Sequence, residues 1–139
     1  AITREAPDSG ALCIAGVGDH WADSVEFDSA LDGVDPSIPR LLLSHNPDVA
    51  ELDGAREGRR VDLMLSGHTH GGQVSLPFRG ALFVPSEFGH RYLEGFCDGP
   101  AFPVYVNSGL GVGTLPARLN VRPEVSIFEL TAERDDERV

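Results

Sequence analysis

The sequence predicts an α/β fold in which one βαβ unit is followed by a mainly β second half. Two short apolar runs, residues 40–44 (RLLLS) and 61–66 (VDLMLS), each stop abruptly at a polar segment bearing histidine. Between them Asn46 and Pro47 mark a helix start, because an asparagine side chain caps free amides and proline suits the first turn. Beyond residue 72 helical periodicity is lost. Pro and Gly instead punctuate short strand candidates at 73–76, 81–84, 91–96, 103–107 and 125–130.

Taken in order, residues 1–10 are polar, without the apolar stretch of a signal peptide, and carry no predicted element. Residues 11–17 (ALCIAGV) read as a buried strand, with Cys13 a buried thiol. Residues 22–32 suit a helix with a weak apolar face of Val25, Phe27 and Leu31, and the turn-rich stretch 32–39 ends it. A strand at 40–44, a helix at 47–56 with Val49 and Leu52 inward, and a strand at 61–66 make the βαβ unit. A crossover of that length joins parallel neighbours. Residues 108–124 form a Gly/Pro-rich loop of a length that compact domains tend to reserve for function.

The chain has 139 residues, the size of one ordinary domain, and no apolar run approaches the ~20 residues of a membrane helix. Twenty-two acidic residues against eleven basic ones give a formal charge of −11. Such a chain repels nucleic acid and anionic lipid at long range, so no nucleic-acid partner is expected. An anionic ligand has to be held by a local positive device, a metal ion or a few arginines. Two cysteines, Cys13 and Cys97, are too few for a disulfide framework or a cysteine zinc site.

The chemistry concentrates at the strand ends. His45 follows one predicted strand, and His68 and His70 follow the next, within Gly67–Gly72. In parallel α/β sheets both ends open on one edge, where ligands bind. Neutral imidazole is the commonest ligand for zinc, iron and manganese-type ions. In extended backbone the spacing of His68 and His70 sets both rings on one side, roughly 6–7 Å apart at Cα, able to chelate one ion or serve two neighbours. Arg118, in the long loop, is a candidate for binding a phosphate bidentately, or pairs with a surface acid. His90 lines a substrate pocket or is an ordinary loop histidine. Asn107 and Ser108 end a strand on the same edge, Gln73 and Gly72 are placed to orient ligands, and Trp21 and Phe27 offer an apolar wall or core packing.

The segments LLLSHNPD (41–48), LSGHTHGGQV (65–74) and VNSGLG…LPARLNVRPEVSIFEL (106–130) closely resemble the calcineurin-like metallophosphoesterases, above all the bacterial branch with GHTHGGQ. The resemblance implies an α/β/β/α sandwich around a binuclear metal centre, with His45 and His68 on one ion and His70 on the other. It implies hydrolysis of a phosphomonoester or phosphodiester by metal-bound hydroxide, with two divalent ions (Zn, Mn or Fe) about 3.5–4 Å apart. The family's D-x-H, GD-x-x-D and N-H-[ED] motifs are not found here, and with them go the bridging carboxylate and the catalytic histidine. Gly18–Asp19–His20 lacks the second Asp of GD-x-x-D, since position 22 is Ala, and receives no ligand role.

Residues 1–130 are therefore expected to be the C-terminal half of such a domain, with 131–139 an acidic tail and the N-terminal half in the same or another chain. Alone, this portion is expected to be inactive and to hold at most one ion, weakly. Two other readings are a non-catalytic module with the three histidines on a single ion, and one chain of a split two-chain enzyme. A phosphoester substrate and the missing half are the expected partners. The expected location is cytoplasmic, with membrane association open to a longer protein but unsupported by this segment.

Overall fold

The apolar runs pair into a six-stranded sheet in the computed structural model, which describes residues 2–6 and 10–131; all of the expected acidic tail past residue 131 falls outside the described residues. In chain order the strands are β1 (Ile2–Ala6), β2 (Gly10–Gly16), β3 (Arg40–Leu43) and β4 (Leu63–Ser66), then a small hairpin β5 (Ser75–Leu76) and β6 (Gly80–Ala81), and finally β7 (Gly95–Asp98) and β8 (Pro103–Val106). The sheet order is β1-β2-β3-β4-β8-β7. The four central strands are mutually parallel, and β1 and β7 close the edges antiparallel. The α/β expectation holds, and the β3–β4 pair is the βαβ unit read from the sequence. A second parallel crossover precedes it, from β2 through helix α1 (Phe27–Leu31) to β3.

Register explains the core. Ala15, Leu42, Met64 and Val104 face one another across four successive strands, and all four are buried. Because strand side chains alternate between faces, this row fixes one apolar face. Phe27, Leu31, Val49, Ala50, Tyr92 and Phe102 pack on it. The neighbouring row, Gly16, Leu43, Leu65 and Tyr105, lies on the opposite face, where Leu43 is exposed and Leu65 and Tyr105 are half-buried. Parallel sheets usually have both faces covered; among the described residues this second face is covered at Tyr105, by Phe128 and Glu124, and open at Leu43.

Several elements differ from their sequence expectation. The helix expected at 47–56 is a 3-10 helix, Pro47–Glu51, then a one-turn helix α2 (Asp53–Arg56), separated by extended Leu52 with ψ 146°. Asp53 and Gly54 are weak helix formers, and the break lets Leu52 pack against the core. Asn46 does cap the first turn, its side chain accepting from the Asp48 amide at 2.9 Å. The expected helix at 22–32 begins only at Phe27, because Asp19 ties the preceding residues into a turn: its carbonyl accepts from the amides of Ala22 and Asp23. Within 91–96, a 3-10 helix (Gly89–Tyr92) precedes β7. Residues 125–130 run without a ladder partner, while Phe128 packs edge-on to Tyr105. The polar strand β1 had no apolar signal to betray it. Among the described residues no helix is long and apolar enough to cross a membrane.

Candidate metal centre

The parallel register of β3 and β4 brings their carboxyl ends side by side, and hydrogen bonds lock the loops that leave them. The Ser44 amide donates to Leu65 O and the Gly67 amide to His45 O, each at 3.1 Å, and the Ser66 hydroxyl donates to Ser44 O at 2.8 Å. The result places Nε2 of His45 3.1 Å from Nδ1 of His68. Two nitrogens held at ~2.1 Å from one ion lie roughly 2.9–3.4 Å apart at octahedral to tetrahedral angles, so this pair fits a shared divalent ion. Burial, and then the neighbouring His45 ring, push His68 below the usual histidine range, which keeps its imidazole neutral at pH 7. The other ring nitrogen of His68, Nε2, is buried with no partner. The Trp21 ring stands edge-on to His68 with centroids 4.4 Å apart.

His70 is directed elsewhere. The extended-backbone expectation for residues 68–70 fails, because His68 and His70 both have positive φ, 68° and 54°, and Thr69 between them is helical. Thr69 is buried and donates its hydroxyl to Leu93 O at 2.8 Å, which anchors the turn. Nδ1 of His70 therefore lies 3.3 Å from Gly111 O in the long loop. In the tautomer with the proton on Nδ1, that nitrogen donates to the carbonyl and Nε2 is the ligand nitrogen; Arg118 Nη2 lies 3.5 Å from the same Nδ1. Among the described residues no three His, Cys, Asp or Glu side chains converge as one ligand set, so three histidines on a single ion are not assembled.

Positive φ continues through Gly71, Gly72 and Gln73. Non-glycine residues adopt it rarely, and each such residue costs on the order of 1–3 kcal/mol. Three of them within six residues, two being the histidines, mark a loop whose shape is held by its surroundings. Gln73 is one such support. Its amide nitrogen donates to Leu115 O and to Ala117 O, and its oxygen accepts from the Gly113 amide at 2.6 Å.

Arg118 has the same use. Its guanidinium donates to the carbonyls of Ser108, Gly109, Gly111 and His70, at 2.6 to 3.3 Å. The planar fork is spent mainly on backbone acceptors, with one nitrogen 3.5 Å from His70 Nδ1, folding the 108–118 loop around His70. His90 Nε2 lies 3.0 Å from Ala81 O and stays outside the histidine pair. Phe27 is core, while Trp21 is exposed beside the site.

Two carboxylates near these loops carry no sequence signal of their placement. Asp19 Oδ2 lies 3.8 Å from His45 Nε2, in the segment set aside for lacking a second Asp in register. Asp48, of the SHNPD string, is buried and accepts from the Ser86 hydroxyl at 2.5 Å and the Glu87 amide at 2.8 Å. It bridges the β3 loop to the strand-poor region, a role its motif neighbours gave no cue to.

A third carboxylate closes the long loop. Glu124 accepts from the Ser108 amide at 2.9 Å, the Ser126 hydroxyl at 2.5 Å and the Tyr105 hydroxyl. Partial burial alone raises its pKa, but the hydrogen bonds from Ser126, Tyr105 and Ser108 outweigh it and bring the carboxyl down to about 2 from its usual 4.5. A folded-state pKa below the unfolded one stabilises the fold above pH 4.5 and is lost as pH falls toward 2. Urea midpoints at pH 7 and pH 3 are expected to separate less in Glu124→Gln than in the parent. Equal separations would remove Glu124 from the acid-sensitive set.

No family model matches the chain, and no solved structure matches it. Curated proteins do. Over 128 residues, covering 92% of this chain and 43% of the relative, it is 35% identical to the uncharacterized metallophosphoesterase YkuE of Bacillus subtilis. It is 39% identical to the phosphodiesterase YaeI of Escherichia coli, over 84% of this chain and 40% of the relative. It is 37% identical to the UDP-2,3-diacylglucosamine pyrophosphatase LpxG of Chlamydia trachomatis, over 90% of this chain and 39% of the relative. The chain thus spans about two fifths of the length of these relatives, matching their C-terminal part. With its histidines on the carboxyl edge of a parallel sheet, it belongs to the calcineurin-like metallophosphoesterase family.

Proposed function

We propose that this chain supplies the C-terminal part of a metal-dependent phosphoesterase, with His45 and His68 holding one divalent ion and His70 contributing to a second. The observation that carries the reading is the 3.1 Å approach of His45 Nε2 and His68 Nδ1 at adjacent parallel strand ends. Bound divalent ions supply Lewis acidity and charge neutralisation at phosphoryl oxygens. They are also the positive device that a −11 chain needs, since the Arg118 fork is taken up by carbonyls. The chain's own residues then bind and orient. His68 presents a neutral nitrogen beside His45 Nε2, Gly111 O orients the His70 ring, and Gln73 and Arg118 hold the loop that keeps that carbonyl in place.

Two imidazoles and a third turned aside are too few to hold two cations together, because a binuclear site needs bridging carboxylate charge. The partly covered sheet points the same way: beside Tyr105, which Phe128 covers, Leu43 and half-buried Leu65 offer a surface for a further layer. In this reading residues 1–130 are one part of a larger domain, whose other part, in the same or another chain, brings the carboxylates. Titration of the 139-residue chain with manganese or zinc tests this. The expected result is at most one weakly held ion per chain and no phosphodiester turnover. Two tightly held ions with turnover by the homogeneous chain would overturn it.

A further inference from the structure

A cavity of about 520 Å³ opens directly beside the histidines. Its floor is His68, Thr69 and His70, the residues between and including two of the candidate ligands. Its walls come from three separate segments: Trp21 from the loop after β2, Leu82 and Phe83 from the turn after β6, and Leu115 from the long loop. Among the described residues no Asp, Glu, Arg or Lys side chain lines it. The apolar wall side chains are unusually open to solvent, with 56% of Trp21, 57% of Leu82, 71% of Phe83 and 52% of Leu115 exposed. Single exposed apolar residues need no explanation, but a set that surrounds one concave, ligand-sized space beside polar groups does.

Each wall is held by specific contacts. The Trp21 amide donates to Asp19 Oδ1 at 2.7 Å, which holds the turn, and the indole packs edge-on to the His68 ring. The Leu82 amide donates to Val74 O at 3.0 Å, and the Gln73 amide group clamps Leu115 O. Two of the walls are thus hydrogen-bonded to the segment that carries His68 and His70, and the third meets it through the Trp21–His68 ring contact. An apolar group resting against them sits within reach of whatever those histidines bind.

Resting on the phosphoesterase reading, we propose that this cavity is the leaving-group or substituent subsite, and that the phosphoester carries an uncharged alkyl or aryl group seated between Trp21, Leu82, Phe83 and Leu115. A charged substituent such as a polyphosphate finds no cation here, and the acidic chain repels it. An apolar group gains by covering surface that is otherwise wet.

Trp21 is the sole tryptophan of the sequence, so its emission reports on the wall directly. The full chain with manganese is titrated with inorganic phosphate and with methyl-, butyl- and octylphosphonate, whose C–P bond resists hydrolysis. The expected result is a blue shift of Trp21 emission and affinity rising about threefold to fourfold per methylene until the cavity is filled. Leu82→Ser and Leu115→Ser, both at exposed positions and neither adding charge beside the histidines, are expected to flatten the series toward the methylphosphonate value while leaving inorganic phosphate binding intact. Metal-dependent phosphonate binding with no dependence on chain length overturns the apolar subsite and leaves the phosphoesterase reading standing. Chain-length dependence indifferent to metal and matched by octanol overturns the phosphoesterase reading, and this assignment with it.

Discussion

Replacing His68 by alanine is expected to abolish saturable binding of manganese or zinc to this chain. Loss of a partner that merely orients a ligand usually weakens metal affinity about 10–100-fold, and losing a ligand from a two-imidazole site costs more. Calorimetric titration checks it, and His45→Ala is expected to behave alike. His70→Ala is expected to leave the ion in place, because its ring faces Gly111 and not the His45–His68 pair. An equal loss in all three variants would mean that one ion gathers all three rings. Stability supplies a second, independent readout. His68 has φ 68°, where an L residue is strained by roughly 1–2 kcal/mol and glycine is not. His68→Gly is therefore expected to be more stable to urea than His68→Ala by about 1 kcal/mol, although neither binds metal. Equal stabilities would show that the loop relaxes once the imidazole is gone.

That strain also explains what was and was not legible in the residues. The positions of His45 and His68 followed from local signals: an apolar run that stops is a strand end, and the βαβ spacing sets two such ends side by side. Where the rings point did not follow, because it depends on the positive φ of His68 and His70, and those angles are imposed by distant partners such as Leu93 O. Arg118 was similarly opaque. Its acceptors are backbone carbonyls of a loop, and carbonyls have no signature in a sequence. The roles of Asp19 and Asp48 are set by tertiary contacts: the loop after β2 brings Asp19 to His45, and Ser86 and Glu87, far along the chain, take up Asp48. The polar edge strand β1 and the break at Leu52 were lost for a shared reason: both are settled by pairing and packing, against weak local preference.

Gly72→Ala is expected to be the most damaging single-methyl change in the site. A Cβ at this position would lie 2.4 Å from the Ala81 Cβ and 3.0 Å from Phe83 O, so β6 and the turn after it have to move. Its φ of 71° adds the left-handed penalty that any L residue meets. Overpacking at about 1–3 kcal/mol and left-handed strain at about 1–2 kcal/mol give an expected loss of roughly 2–5 kcal/mol in a urea titration. Gly109→Ala isolates the second contribution: it has φ 67° and nothing within 4 Å of the added carbon, so only about 1–2 kcal/mol is expected there. The excess at Gly72 over Gly109 measures how tightly the histidine loop is pressed against β6. The same displacement pushes Leu82 and Phe83 away from the floor formed by His68 and His70. Gly72→Ala is thus expected to lose the chain-length preference for alkylphosphonates, whereas Gly109→Ala keeps it. Equal costs at the two glycines would mean that the β6 turn yields freely, and a wall that yields freely cannot select a substituent.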